Sequence, residues 1–136
     1  MIITAEMLRK AGVHEDEVTQ LTLFYGEHVD VTEAWALEHA HDDIDWLRAA
    51  EYLLPASVWR AYGEAKASAG RVYVEDTEPA WRVYKEAAES ARRALCTATA
   101  SAQRAAAWGT YKEAADPAWR AYKKACALAF ARALNA

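Results

Sequence analysis

A chain of 136 residues is long enough for one domain, or for one domain carrying an extended arm. Its 54% hydrophobic and 26% charged content exclude intrinsic disorder, and 33 alanines against five glycines and three prolines point to helix. No stretch of membrane-spanning length is without charge, and Glu6, Arg9 and Lys10 interrupt the apolar N-terminal stretch, so neither a bilayer span nor a signal-peptide core is expected.

Thr4 is placed to cap a short helix from Ala5 to Ala11, with Gly12 at its C-terminal end. Val18, Leu21 and Tyr25 recur at helical spacing and predict a second helix from about Glu15, which Gly26 stops. His28 to Val31 alternates like a short extended segment, and Thr32 then caps a helix beginning at Glu33. Another helix is expected from Asp43 or Ile44 to Leu54, with Asp42 and Asp43 as its acidic start. Its apolar anchors are Ile44, Leu47, Tyr52 and Leu54, and Pro55 forces its end.

Charge divides the chain at this proline. Residues 1–54 carry a balance of −9 and all four histidines, whereas residues 55–136 carry +5 and all three prolines. The expected organisation is an acidic helical head, 1–54, followed by a basic helical arm, 55–136, rich in Trp and Tyr. A head of this size buries little surface unaided. Its opposite charge to the arm favours docking of one segment on the other, or association between copies.

One cluster in the head hints at chemistry, His39-Ala40-His41-Asp42-Asp43-Ile44-Asp45. His, Asp and Asp are ligands for zinc or manganese and an acid–base pair. On a helix, however, His39 and His41 lie ~200° apart, and only His39 with Asp43 has the i, i+4 spacing of a helical metal pair. The favoured reading is an Asp-rich helix start with exposed histidines. A metal- or ligand-binding module, or an enzyme using this cluster, is the alternative. No catalytic, cofactor-binding or metal residue is assigned, no cofactor is expected, and the chain is read as a non-enzyme. Cys96 and Cys126 lack metal-ligand spacing and read as reduced, buried thiols.

The arm repeats a phrase. Trp59-Arg-Ala-Tyr62, Trp81-Arg-Val-Tyr84, Trp108-Gly-Thr-Tyr111 and Trp119-Arg-Ala-Tyr122 are four copies of W-x-x-Y, and Tyr73 marks a further copy in which Gly70 takes the Trp position. The unit is 11 residues, which advances a helix only ~20° beyond three turns, so Trp, Tyr and Ala form one stripe. That stripe, Trp59, Tyr62, Tyr73, Trp81, Tyr84, Trp108, Tyr111, Trp119 and Tyr122, is expected to pack helix on helix, with the tryptophans mostly buried. Arg60, Arg71, Arg82 and Arg120 then project from the outer face as candidate partner contacts. Five extra residues between Trp81 and Trp108 rotate the stripe by ~140°. The arm either folds back near Cys96 to Ser101 as a hairpin or presents its seam on two faces of one helix. Thr77-Glu78-Pro79 predicts a helix break at 76–78, and Asp116-Pro117 a kink.

The fold class is therefore all-α, a short-helix head followed by long amphipathic repeat helices packed as a hairpin or bundle. Aromatics interleaved with Arg and Lys also suit single-stranded nucleic acid, but the basic residues lie off the stripe and the acidic head dilutes the field, so a nucleic-acid-binding arm is a lesser alternative.

Gln20-Leu-Thr-Leu-Phe24, Val29-Asp-Val-Thr32, Glu38-His-Ala40, Asp43-Ile-Asp-Trp-Leu47, Leu53-Leu-Pro55, the W-x-x-Y copies and the ending Ala129-Phe-Ala-Arg-Ala133 together resemble a group of small proteins from tailed bacteriophages and prophages. In that group an acidic head precedes a variable number of 11-residue Ala/Tyr/Trp repeats. The resemblance spans nearly the whole chain and transfers no catalytic residue. It implies the cytoplasm of a phage-infected bacterial host. The expected function is non-enzymatic binding of a protein partner, including inhibition of a host defence complex in the manner of an anti-CRISPR protein. The chain is expected to act as a homodimer, without a membrane.

Overall fold

The computed structural model describes residues 1–42, 44–93 and 97–136. Among them are six helices and two three-residue strands, in the order β1 (Ile2–Thr4), α1 (Ala5–Lys10), α2 (Glu15–Tyr25), β2 (His28–Asp30), α3 (Glu33–Glu38), α4 (Trp46–Leu53), α5 (Ala56–Arg92) and α6 (Thr97–Leu134). The fold is all-α apart from one antiparallel ribbon, in which Ile3 of β1 faces Val29 of β2.

Local chemistry sets most of these boundaries. The Thr4 hydroxyl accepts from the Met7 N–H and caps α1, and Thr32 caps α3 by accepting from the Trp35 N–H. Gly12 and Gly26 both adopt φ +88°, a left-handed conformation that ends α1 and α2 without the steric cost of a Cβ. α4 starts later than its sequence suggests. Asp45, rather than Asp42 or Asp43, caps it by accepting from the Leu47 and Arg48 N–H groups, and Asp43 lies outside the described residues. With that start, Trp46, Ala50 and Leu54 form the buried face at i, i+4 and i+8, and the expected anchor Leu47 is exposed.

The described residues group into two compact units, 1–68 with 123–136, and 69–122. In the first, the core is built from both ends of the chain. Val18, Val31, Ala36, Trp46 and Ala50 are buried together with Tyr62 from the start of α5, and with Phe130 and Leu134 from the end of α6. The Tyr62 hydroxyl donates to the Trp46 carbonyl at 3.1 Å, and the Trp46 and Phe130 rings lie 5.5 Å apart. Around this core Arg132 pairs with Glu33 at 2.9 Å, the Asn135 amide donates to the Val31 carbonyl at 2.8 Å, and the Met1 amino group reaches the Asn135 side-chain oxygen. Cys126 is buried here, whereas Cys96 lies outside the described residues.

In the second unit α5 and α6 run antiparallel, so the five extra residues mark a reversal of the chain. Of the weakly helical stretch, Thr97 to Ser101 already belong to α6. The break predicted at 76–78 does not occur, because α5 continues through Pro79, and at the site of the predicted kink α6 is likewise continuous through Pro117. Each proline withholds an N–H from the carbonyl four residues earlier and costs a helix interior ~3 kcal/mol. Ring contacts on both sides of each proline offset that cost, at ~0.5–1.5 kcal/mol per pair. The cap-like residues take helical roles. Thr77 is buried and its hydroxyl donates to the Tyr73 carbonyl at 2.8 Å, and Asp116 pairs with Arg120 at 2.7 Å.

Candidate functional site

Tyr follows Trp by three positions in each W-x-x-Y phrase, an i, i+3 spacing that on a helix sets the two rings side by side. Trp81–Tyr84, Trp108–Tyr111 and Trp119–Tyr122 have centroids 5.1, 5.2 and 5.5 Å apart, with ring planes inclined by 30°, 32° and 29°. Trp59–Tyr62 differs, being edge-on at 80°. Tyr62 is drawn into the core by its hydrogen bond to Trp46, and Trp59 is left half-buried.

The phrases meet head to tail across α5 and α6. Trp81 contacts Tyr111 and Tyr84 contacts Trp108, both at 5.4 Å and 65°, while Tyr84 and Tyr111 meet at 5.8 Å between them. The result is an aromatic quartet with near-two-fold symmetry. One step along, Tyr73 contacts Trp119 at 5.8 Å and 66° and Tyr122 at 5.7 Å. This repeats the quartet geometry with Gly70 in the position of the fourth ring. Burial raises the Tyr73 hydroxyl above the usual phenol range, and the neighbouring Tyr111 adds to the effect.

The tryptophans of this ladder are not buried as expected. Trp81, Trp108 and Trp119 are 39%, 43% and 45% exposed. The reason is the size of their neighbours. Thr77, Ala91, Ala100 and Ala115 are buried in this unit, and such small side chains let the two helices approach closely, which forces the large rings to the edge of the seam. Beside the quartet lies a groove of about 370 Å³, lined by Ala80, Val83, Ala87, Ala107 and Ala114 with the two tyrosines.

Arg60, Arg71, Arg82 and Arg120 are exposed. Three of them are held by a carboxylate four residues away, in the pairs Arg60–Glu64, Arg82–Glu78 and Arg120–Asp116.

The His39 cluster lies in the first unit and is engaged internally. The His39 imidazole Nδ1 sits 2.7 Å from the Asp42 carboxylate, which also accepts from the Tyr25 hydroxyl at 3.0 Å. These bonds, the His39 one foremost, hold the Asp42 carboxyl below the usual range. Lys123 donates to the Asp42 carbonyl at 3.1 Å, and the His41 side chain is exposed. The i, i+4 partner proposed for His39, Asp43, lies outside the described residues. Among the described residues no group of three or more His, Cys, Asp or Glu is arranged to hold a metal ion.

No family model, no curated protein and no solved structure matches this chain. Among the described residues no helix is long and apolar enough to cross a membrane.

Sequence spacing brought the nine stripe residues together on paper, and the structure joins seven of them into one ladder in the second unit. It did not single out Trp46, Phe130 or Lys123. For Phe130 a signal was present, since Cys126, Phe130 and Leu134 recur at i, i+4 and i+8.

Proposed function

We propose that this chain is a non-enzymatic protein-interaction module whose contact surface is the aromatic edge of α5 and α6. The observation that carries the reading is the exposure of Trp81, Trp108 and Trp119 while each ring is already held by tyrosines. Ordered, half-exposed tryptophans and tyrosines lose little side-chain freedom on binding, and they are the side chains that dominate protein interfaces. A second copy of the chain is the simplest partner, because the same exposed aromatic edge on two copies can meet across a two-fold axis. The resemblance to phage proteins supplies a setting inside an infected bacterial cell, in which the partner is a component of a host defence complex.

The pairing of the arm's arginines with carboxylates one turn away supports protein over nucleic acid as partner, since phosphate binding draws on an uncompensated positive field.

The test is capture from bacterial lysate with the parent chain and with Trp108→Ala/Trp119→Ala. A stoichiometric protein held by the parent and lost by the variant is expected. Equal retention by both places the contact elsewhere and overturns the reading.

A further inference from the structure

Leu23 and Phe24, adjacent in the last turn of α2, are 79% and 80% exposed, more than any other large hydrophobic side chain among the described residues. Single exposed hydrophobics are ordinary, but two side by side on a helix form the centre of a contact patch. Their surroundings are polar. Asp16, Thr19 and Gln20 precede Leu23 by seven, four and three positions, so they share its side of α2, and all three are exposed. Glu27, also exposed, follows Phe24 by three positions.

Charge says what covers the pair. Residues 11–47 hold ten Asp and Glu and no Lys or Arg. Glu15, Glu17 and Glu33 are paired with arginines from outside that segment, Arg9, Arg48 and Arg132, whereas Glu27 and Glu38 form no ion pair among the described residues. The last turn of α2 carries no basic residue either, so the negative end of the helix dipole adds to the field at Leu23 and Phe24. An apolar pair set in a negative field is complementary to an apolar stripe bordered by Lys and Arg. An anionic bilayer surface would be repelled by the same field.

We propose that Leu23 and Phe24 form a second docking surface, for a basic amphipathic helix of a protein partner. Its apolar stripe covers the pair, and its Lys and Arg meet Asp16 and Glu27. This surface lies in the first unit and shares no residue with the aromatic edge, so the two stand or fall separately.

The experiment is calorimetric titration of the full chain with a leucine–lysine peptide of helical amphipathic spacing, and with a leucine–glutamate peptide of the same pattern. One leucine–lysine peptide per chain is expected to bind, more weakly as salt rises, and the leucine–glutamate peptide not at all. Leu23→Ser/Phe24→Ser should lower the affinity by about tenfold or more, with Tm close to the parent's because both side chains are exposed. Asp16→Lys/Glu27→Lys, which keeps the apolar pair, should weaken the leucine–lysine peptide and admit the leucine–glutamate one. Trp108→Ala/Trp119→Ala should bind as the parent does. The proposal is overturned by the absence of saturable binding at millimolar peptide, by affinity unchanged in either α2 variant, or by loss of binding in Trp108→Ala/Trp119→Ala. Should Leu23→Ser/Phe24→Ser melt early, Asp16→Lys/Glu27→Lys decides alone. A fall in mass by light scattering in Leu23→Ser/Phe24→Ser would make a second copy the occupant, and binding of anionic vesicles that this variant loses would make it a membrane. Either result is equally fatal.

Discussion

Trp46, the first residue of α4, packs its ring 5.5 Å from Phe130, which lies 84 positions later and within two turns of the end of α6. The contact explains how a short acidic segment acquires a core. The head does not close on itself. It wraps around the end of α6, where Cys126, Ala127, Phe130, Ala131 and Leu134 are buried.

Phe130→Ala should therefore act as a core deletion, costing ~3–5 kcal/mol through lost burial and the cavity left behind. Chemical denaturation of parent and variant at one pH measures it. A cost under ~1 kcal/mol, typical of a surface site, would show that the head stands without α6.

Trp108→Ala is expected to be milder. Its ring is 43% exposed and makes two ring contacts, with Tyr84 and Tyr111, worth ~0.5–1.5 kcal/mol each. Its larger effect should be on assembly. Light scattering of the parent at micromolar concentration should give about twice the 15.1 kDa chain mass, and Trp108→Ala/Trp119→Ala should return it toward one chain. A parent mass of one chain at every concentration excludes the dimer.

What the sequence disclosed follows from where each signal resides. α2 was legible to the residue, from Glu15 to Tyr25, because apolar spacing and Gly26 are both local. The Thr4 and Thr32 caps were legible for the same reason, and the 11-residue spacing put the aromatics on one stripe of long helix while leaving a hairpin and a single helix both open. Three features were not. The face of α4 that is buried depends on Trp46 meeting Phe130, a contact invisible to any window along the chain. The continuity of α5 and α6 through Pro79 and Pro117 depends on rings supplied by the opposite helix. The exposure of Trp81, Trp108 and Trp119 depends on how closely alanines let those helices approach. Periodicity says which residues share a face, and packing decides how deep that face lies.

Asp42 makes a pH-dependent contribution. Its carboxyl is held below the usual range by His39, and by Tyr25 in smaller measure. A carboxylate depressed in the folded state stabilises above its unfolded value, ~3.9 for Asp, and that stabilisation fades as pH falls through the folded value. Asp42→Asn should thus lower Tm at pH 7, and the gap to the parent should shrink steadily below about pH 4. A gap that stays constant from pH 7 to pH 2.5 would mean the carboxylate's charge contributes nothing.

Gly70 offers the most direct examination of the ladder. It stands 11 residues before Trp81, on the side of α5 where Tyr73 already meets Trp119 and Tyr122, and a Cβ built there meets nothing within 4 Å. Gly70→Ala should stabilise the chain by ~0.5–1 kcal/mol, because glycine in a helix interior carries the largest loss of backbone freedom. Gly70→Trp should exceed that gain. In the complete quartet, Trp81 stacks on Tyr84 one turn along its own helix and meets Tyr111 edge-on across the seam. A tryptophan at 70 acquires the corresponding neighbours in Tyr73 and Tyr122, each pair adding ~0.5–1.5 kcal/mol. The comparison of Trp with Ala at this position removes the backbone effect and leaves the rings alone. If Gly70→Trp is no more stable than Gly70→Ala in thermal unfolding, the ladder is a by-product of helix packing. If it is more stable, the rings themselves hold α5 to α6.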